Sequence, residues 1–328
     1  MRKLLLLLFA VLLSLSVSAC NNQVENHDVF VTVYPMEYIV KNLLEGTNKT
    51  VGIVPGVSSH ETATDWSAKE IIAMTNADLL FYIGANYDQY IDIRISIFEG
   101  KNVELVKFAD HPAYITFIEA MVHAHDHEDD EHDETTTAEE EHTLGIDPHF
   151  WISPLRVQQA TSLIYEKIIE TYPEHEDLID TNYTDVMDAL QQLHDDFSEV
   201  LDNGTKPALT STNLYSYLEA DYGLNYIPIS PGFHEVAESF TVDEKNAIVN
   251  EAIKHDIRHI IYEKFTNSPL SDAIFRDLED LGKDPVKLEF HVLQMITDDN
   301  KQAGENYITI MNDNLEVFKT AIGYNAIE

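Results

Sequence analysis

The sequence predicts an α/β fold of two lobes, each a parallel sheet wrapped by helices, joined by one long helix. Three observations predict it. Short β-type apolar runs alternate with helical stretches in both halves of the chain. A stretch of roughly 25 residues near the middle keeps helical periodicity without interruption. The 328 residues, 44% of them hydrophobic, supply enough apolar surface for two cores of ordinary size.

In chain order, "VFVTVYP" from Val29 reads as a buried strand and "MEYIVKNLLEG" as a helix closing at Gly46. "KTVGIVPG" is a strand delivering the loop "VSSHE", which carries His60. "SAKEIIAMTNA" is helical, "DLLFYIG" a strand, "YDQYIDIRISIFEG" helical and "NVELVKFAD" a further strand. "SPLRVQQATSLIYEKIIETYP" is helical up to its proline. Leu178, Tyr183, Val186, Leu190, Leu193 and Phe197 then line one face of the long helix, which stops at Gly204. Beyond it the alternation resumes with "PALTST", "LYSYLEADYG", "LNYIPIS", "VDEKNAIVNEAIKHD", "RHIIYE", "SPLSDAIFRDLEDLG" and "PVKLEF", and a last helix follows "AGENYI". Ligands of open α/β sheets sit beyond the C-terminal ends of strands. His60 and His291 both fall there, and His149 lies in a loop leading into a helix.

With 20 Lys+Arg against 58 Asp+Glu, the formal net charge is −38. Such a surface repels nucleic acid and anionic headgroups and favours cations. The N-terminus "MRKLLLLLFAVLLSLSVSAC" has a basic start, an apolar run and small residues before Cys20, the single cysteine. This is an export signal rather than a span. It resembles a bacterial lipoprotein signal, in which Cys20 is lipidated and leaves no thiol for a disulfide. The expected organisation is a signal over residues 1–19, a lipidated tether over 20–27, an N-terminal lobe over 28–175, a linking helix over 176–203 and a C-terminal lobe over 204–328.

The segments "VPGVSSHETATDWSAKEIIAMTNADLLFYIGANYDQYI", "DPHFWISP", "EADYGL" and "AGENYITIMNDNLEVFK" resemble the metal-binding lipoproteins that serve as substrate-binding components of bacterial ABC importers for zinc or manganese. The resemblance covers essentially the whole mature chain. It implies a rigid joining helix, one metal between the lobes, and a monomer anchored on the extracellular face of the membrane that delivers its cation to a permease. Carried over position by position, His60 and His149 match the first two family ligands. The third, usually histidine, is Thr212 here. The fourth, usually acidic, falls at His291, with Glu289 two residues before and Gln294 three after. His60, His149 and His291 are therefore the expected ligands, and Glu289, Glu263, His234 or water could complete the shell. Imidazole-rich shells suit zinc better than manganese, and an all-oxygen calcium or magnesium site is disfavoured.

Between the lobe and "DPHFWISP" runs a tract in which His123, His125, His127, His132 and His142 stand among ten acidic residues. It has nothing to bury and reads as a low-affinity collector beside a retaining site. Imidazole must be neutral to bind, so capture weakens as pH falls through about 6.5. Two other readings compete. A divergent metal buffer or adhesin would explain Thr212. A zinc hydrolase would need an open metal position, and the chain lacks an H-E-x-x-H helix.

Overall fold

Apolar runs too short for helices become strands, and helical crossovers make them pair in parallel. The computed structural model describes residues 25–56, 65–121, 143–235 and 241–325. Strands β1 (Val29–Val31), β2 (Val51–Ile53), β3 (Leu79–Tyr82) and β4 (Glu104–Lys107) form a parallel sheet in the order β2-β1-β3-β4. Its crossovers carry α1 (Tyr34–Leu43), α2 (Ala68–Thr75) and α3 (Gln89–Ile93). Two strands outside this sheet, β5 (Glu119–Met121) and β6 (Thr143–Ile146), pair antiparallel across the acidic tract. Helices α4 (Pro154–Thr171) and α5 (Glu176–Asp202) follow.

The second sheet repeats the plan. Strands β7 (Ala208–Thr210), β8 (Tyr226–Pro228), β9 (His259–Glu263) and β10 (Val286–Phe290) are parallel in the order β8-β7-β9-β10. They alternate with α6 (Ser216–Tyr222), α7 (Val242–Lys254) and α8 (Pro269–Asp280). The chain closes with α9 (Asp298–Gln302) and α10 (Tyr307–Ala321). In each sheet the strand order reverses beside the first strand, so loops leaving β1 and β3, or β7 and β9, diverge into a crevice.

Three elements differ from expectation. The β5–β6 ladder was not foreseen, because "EAM" and "TLGI" show no alternation of apolar and polar residues. The helix expected over "YDQYIDIRISIFEG" is only five residues long and gives way at Arg94 to a 3-10 turn over Ile95–Ile97. Closely spaced β-branched isoleucines disfavour a longer α-helix there. Helix α9 forms where no apolar pattern exists, started by a capping box in which Thr297 and Asn300 satisfy each other's backbone N–H.

The 27 residues of α5 span roughly 40 Å at the α-helical rise. Its buried stripe, Ile179, Val186, Leu190, Leu193 and Phe197, packs on α1 and α4 at one end and on α6 and α10 at the other. One apolar core is consequently continuous from Val29 and Phe81 in the first sheet to Phe290 and Phe318 in the second half. Separate small cores cover the outer faces of the two sheets. The halves are also tied by polar bonds. Arg156 at the start of α4 grips Asp221 of α6 through two nitrogens, at 2.8 and 2.6 Å. Among the described residues, no helix is long and apolar enough to cross a membrane.

Candidate metal centre

The loop that leaves β6 carries His149 and is held on every side. Asp147, completely buried, is fixed through its own N–H to the carbonyl of Ile118, just before β5. Its Oδ1 accepts from the backbone N–H of His149 and from the His149 ring Nδ1, both at 2.8 Å. A carboxylate can only accept, so Nδ1 carries the proton and the lone pair of the ring lies on Nε2. This carboxylate–histidine arrangement is the one that orients metal-binding imidazoles and fixes their tautomer.

The rest of the loop is anchored to the other half of the molecule. Tyr217 donates to the Asp147 carbonyl at 2.7 Å, and Tyr307 to the Trp151 carbonyl at 2.9 Å. The Trp151 indole N–H reaches the carbonyl of Val292 at 2.9 Å. Three aromatic rings surround the imidazole: Tyr87, Trp151 and Phe233, at centroid distances of 6.2, 5.3 and 5.2 Å. Phe233 comes from the loop after β8, so His149 faces the second sheet directly.

At that sheet's crevice stand Thr212, beyond the end of β7, and Glu263, the last residue of β9, both buried. The Thr212 hydroxyl donates to Glu263. Burial pushes the Glu263 carboxyl above its ordinary range, while the Thr212 bond and nearby His149 pull it back. His234, the neighbour of Phe233, is solvent-exposed on its loop yet close enough to His149 to feel its charge. Crowding by the protein, then His149, lowers its pKa. The loop is held by the Ser230 hydroxyl, which donates to the His234 carbonyl at 3.0 Å, and by Glu235, which accepts the Leu270 N–H at the start of α8 at 2.9 Å.

His291 is also buried, but its lone pair is spent. Nδ1 accepts the N–H of Leu293 at 3.0 Å, which leaves the proton of the neutral ring on Nε2. Nε2 is buried and has no hydrogen-bond partner among the described residues. Burial, with Lys264 nearby, pushes the pKa of His291 down to about 4. The Phe265 ring stands perpendicular to it at 5.5 Å. The imidazole stabilises the sharp turn at Leu293, whose φ is +62°. Binding a metal through Nε2 would first require moving the proton to Nδ1, against the Leu293 N–H.

The structure thus brings His149, Thr212, Glu263 and His234 into one neighbourhood. Glu289 is apart from them, exposed on the edge strand β10. His60, the histidines 123, 125, 127, 132 and 142, and Cys20 lie outside the described residues. Among the described residues, no three His, Cys, Asp or Glu side chains are close enough to hold a metal together. Sequence reasoning passed over Asp147, although an acid two residues before a histidine is a usable signal, and over the ring of Tyr87, Trp151 and Phe233.

Residues 29–321 match the family model described as ZnuA, zinc-uptake complex component A, periplasmic. The chain belongs to the ZnuA family. Over 325 residues it is 26% identical to the zinc-binding lipoprotein AdcA of Streptococcus pneumoniae, covering 97% of this chain and 61% of that relative. It therefore spans about three fifths of AdcA. The high-affinity zinc uptake system protein ZnuA of Bacillus subtilis is 23% identical over 302 residues, covering 90% of this chain and 87% of the relative. Among solved structures, the Zn(II)-bound ZnuA-like domain of S. pneumoniae AdcA superposes with a TM-score of 0.68 at 20% identity, covering 92% of this chain and all of that domain. That likeness bears on the fold, which is the ZnuA α/β architecture of two parallel sheets and a long helix.

Proposed function

We propose that this ZnuA-family chain is the zinc-capturing, substrate-binding component of an ABC-type metal importer. In this reading it is a monomer held on the outer face of the membrane through Cys20. His149 is a ligand from the loop after β6, and His60, taken from the sequence pattern alone, is a second. The remaining donors come from Glu263 and His234, since Glu289 is exposed on β10 and the His291 lone pair is taken by the Leu293 N–H. The observation that carries the reading is the buried Asp147–His149 pair, which sets the tautomer that offers Nε2 to a cation. Zinc is favoured over manganese because imidazole leads the donor set. The zinc-binding names of relatives in the same family support this.

The role is carriage rather than catalysis, in keeping with a family defined as a component of zinc-uptake complexes. The continuous core and the Arg156–Asp221 grip oppose wide separation of the lobes, so release to a permease proceeds through the loops around the site. The acidic histidine tract is proposed as the collector that feeds it. The competing metal-buffer or adhesin reading draws on Thr212 at the third family position.

Competitive titration of the metal-free protein against a zinc chelator separates the two. Nanomolar dissociation supports uptake, whereas millimolar dissociation supports the buffer or adhesin and overturns the proposal. Deleting residues 123–142 tests the collector, which predicts fewer weakly bound ions and an unchanged tight one.

A further inference from the structure

A carboxylate buried without a cation is expensive, because it gives up hydration and gains no opposite charge. Among the described residues, Glu263 is such a group, with no cation bonded to it. It is only 6% exposed. Its partners are two neutral hydroxyls, Thr212 on one oxygen and Thr266 on the other at 3.5 Å. Neither is a cation, and the second contact is weak. Glu235 opposes its ionisation, whereas His149 favours it.

Its location is equally specific. Glu263 ends β9 and Thr212 follows β7, at the reversal point of the second sheet, where the crevice opens towards His149. The neighbouring polypeptide is pinned over it. The Asn213 N–H donates to the Gly232 carbonyl at 3.0 Å and its side-chain amide to the Pro231 carbonyl at 3.1 Å, which brings Phe233 against the His149 ring.

We infer that Glu263 is the anionic ligand of the captured zinc ion and that Thr212 is its positioning residue. The inference rests on the zinc-capture reading and deepens it. The Thr212 hydroxyl takes one carboxylate oxygen and leaves the other for the metal. On binding, the cation supplies the charge that the buried carboxylate lacks, and the carboxylate offsets part of the charge that neutral imidazoles cannot. His291 is not a ligand in this arrangement, because its Nδ1 lone pair belongs to the Leu293 N–H. Thr212 then has a function of its own at its position, as the donor that aims the acid.

The most direct test needs no variant: a crystal structure of the zinc-loaded full chain. A Glu263 oxygen within zinc-bonding distance is expected, and a carboxylate turned away from the ion overturns the inference. Chelator competition with zinc alone adds a second arm. Glu263→Gln, which is isosteric, should weaken binding by more than the ~10–100-fold typical of lost outer-shell partners. Thr212→Val should fall within that range and Thr212→Ser should recover most of the loss. His291→Asn should leave affinity within about threefold, since only its turn bond is at stake. Cobalt substitution reads geometry separately from stability, and the visible ligand-field spectrum should change in Glu263→Gln but not in His291→Asn. Wild-type affinity and spectrum in Glu263→Gln overturn the assignment. A wild-type chain that does not bind zinc defeats the broader reading instead.

Discussion

His149 and His291 are both buried imidazoles on loops that leave strands, yet their protons sit on opposite nitrogens. At His149 a carboxylate accepts from Nδ1, so the ring lone pair lies on Nε2. At His291 a backbone N–H donates to Nδ1, so the ring itself is the acceptor and Nε2 keeps its hydrogen. Burial is equal to within a few per cent, 1% against 5% exposed, and so cannot tell a ligand from a structural histidine. The partner of the other nitrogen can.

Removing each ring in turn should have the largest and most unequal effects. If His149 is a ligand as proposed, His149→Ala should weaken zinc binding by ~10³-fold or more, about 4 kcal/mol, because a direct ligand and its preset geometry are lost together. His291→Ala should alter affinity by less than about threefold, the scale of half a kcal/mol. Equal losses measured by chelator competition would erase the distinction.

The next effect is on stability and its pH dependence. The His291 pKa is about 4 in the folded chain, below the ordinary 6.5 of the unfolded one. Above pH 6.5 the ring is neutral in both states and the fold loses nothing. As pH falls from 6.5 towards 4, the unfolded chain takes up a proton that the folded one refuses, so stability drops. The full loss is about 3 kcal/mol by linkage. Lys264 lowers the pKa and Glu305 raises it, both less than burial does. His291→Asn removes the titration while keeping an oxygen able to accept from Leu293. Denaturant melts at pH 7 and pH 4.5 should therefore show a smaller acid loss in the variant, and parallel losses would place the proton elsewhere.

These contrasts also mark how far the sequence could be read. The strands and helices were legible because they are short apolar runs and amphipathic stretches, and "DPHFWISP" pointed to His149. The Asp147 bond was written into the same segment, two residues upstream, but its meaning depends on the β5–β6 ladder that holds Asp147. The two strands of that ladder are separated by the acidic tract and share no pattern. His291 was read as a ligand because it follows a strand and falls at the usually acidic family position. What decides its role is a backbone turn with φ +62° at Leu293, a residue type that gives no sign of it. Thr212 read as a lost ligand, because its partner Glu263 is 51 residues away in sequence and adjacent only once β7 and β9 pair.

A smaller effect sharpens the His149 side. Asp147→Ala removes the acceptor that fixes the tautomer but leaves the imidazole in place. Zinc affinity should fall ~10–100-fold, the usual consequence of losing such a partner. Part of the zinc-binding energy would then be spent on reorienting the ring. A change under threefold would mean that the aromatic ring of Tyr87, Trp151 and Phe233 alone suffices to hold it.

The smallest effect separates the turn from the ring on the His291 side. His291→Ala removes the acceptor of the Leu293 N–H in a buried turn, whereas His291→Asn offers a replacement two residues before the donor, the spacing of an Asx turn. At pH 7 the titration contributes nothing to the difference between the two variants. What remains is one hydrogen bond in a buried setting plus a modest difference in side-chain volume. His291→Asn should therefore be more stable than His291→Ala by about 1 kcal/mol in denaturant melts. If alanine and asparagine prove equally stable, the Leu293 N–H does not need its acceptor. The bond would then be too weak to withhold His291 from the metal.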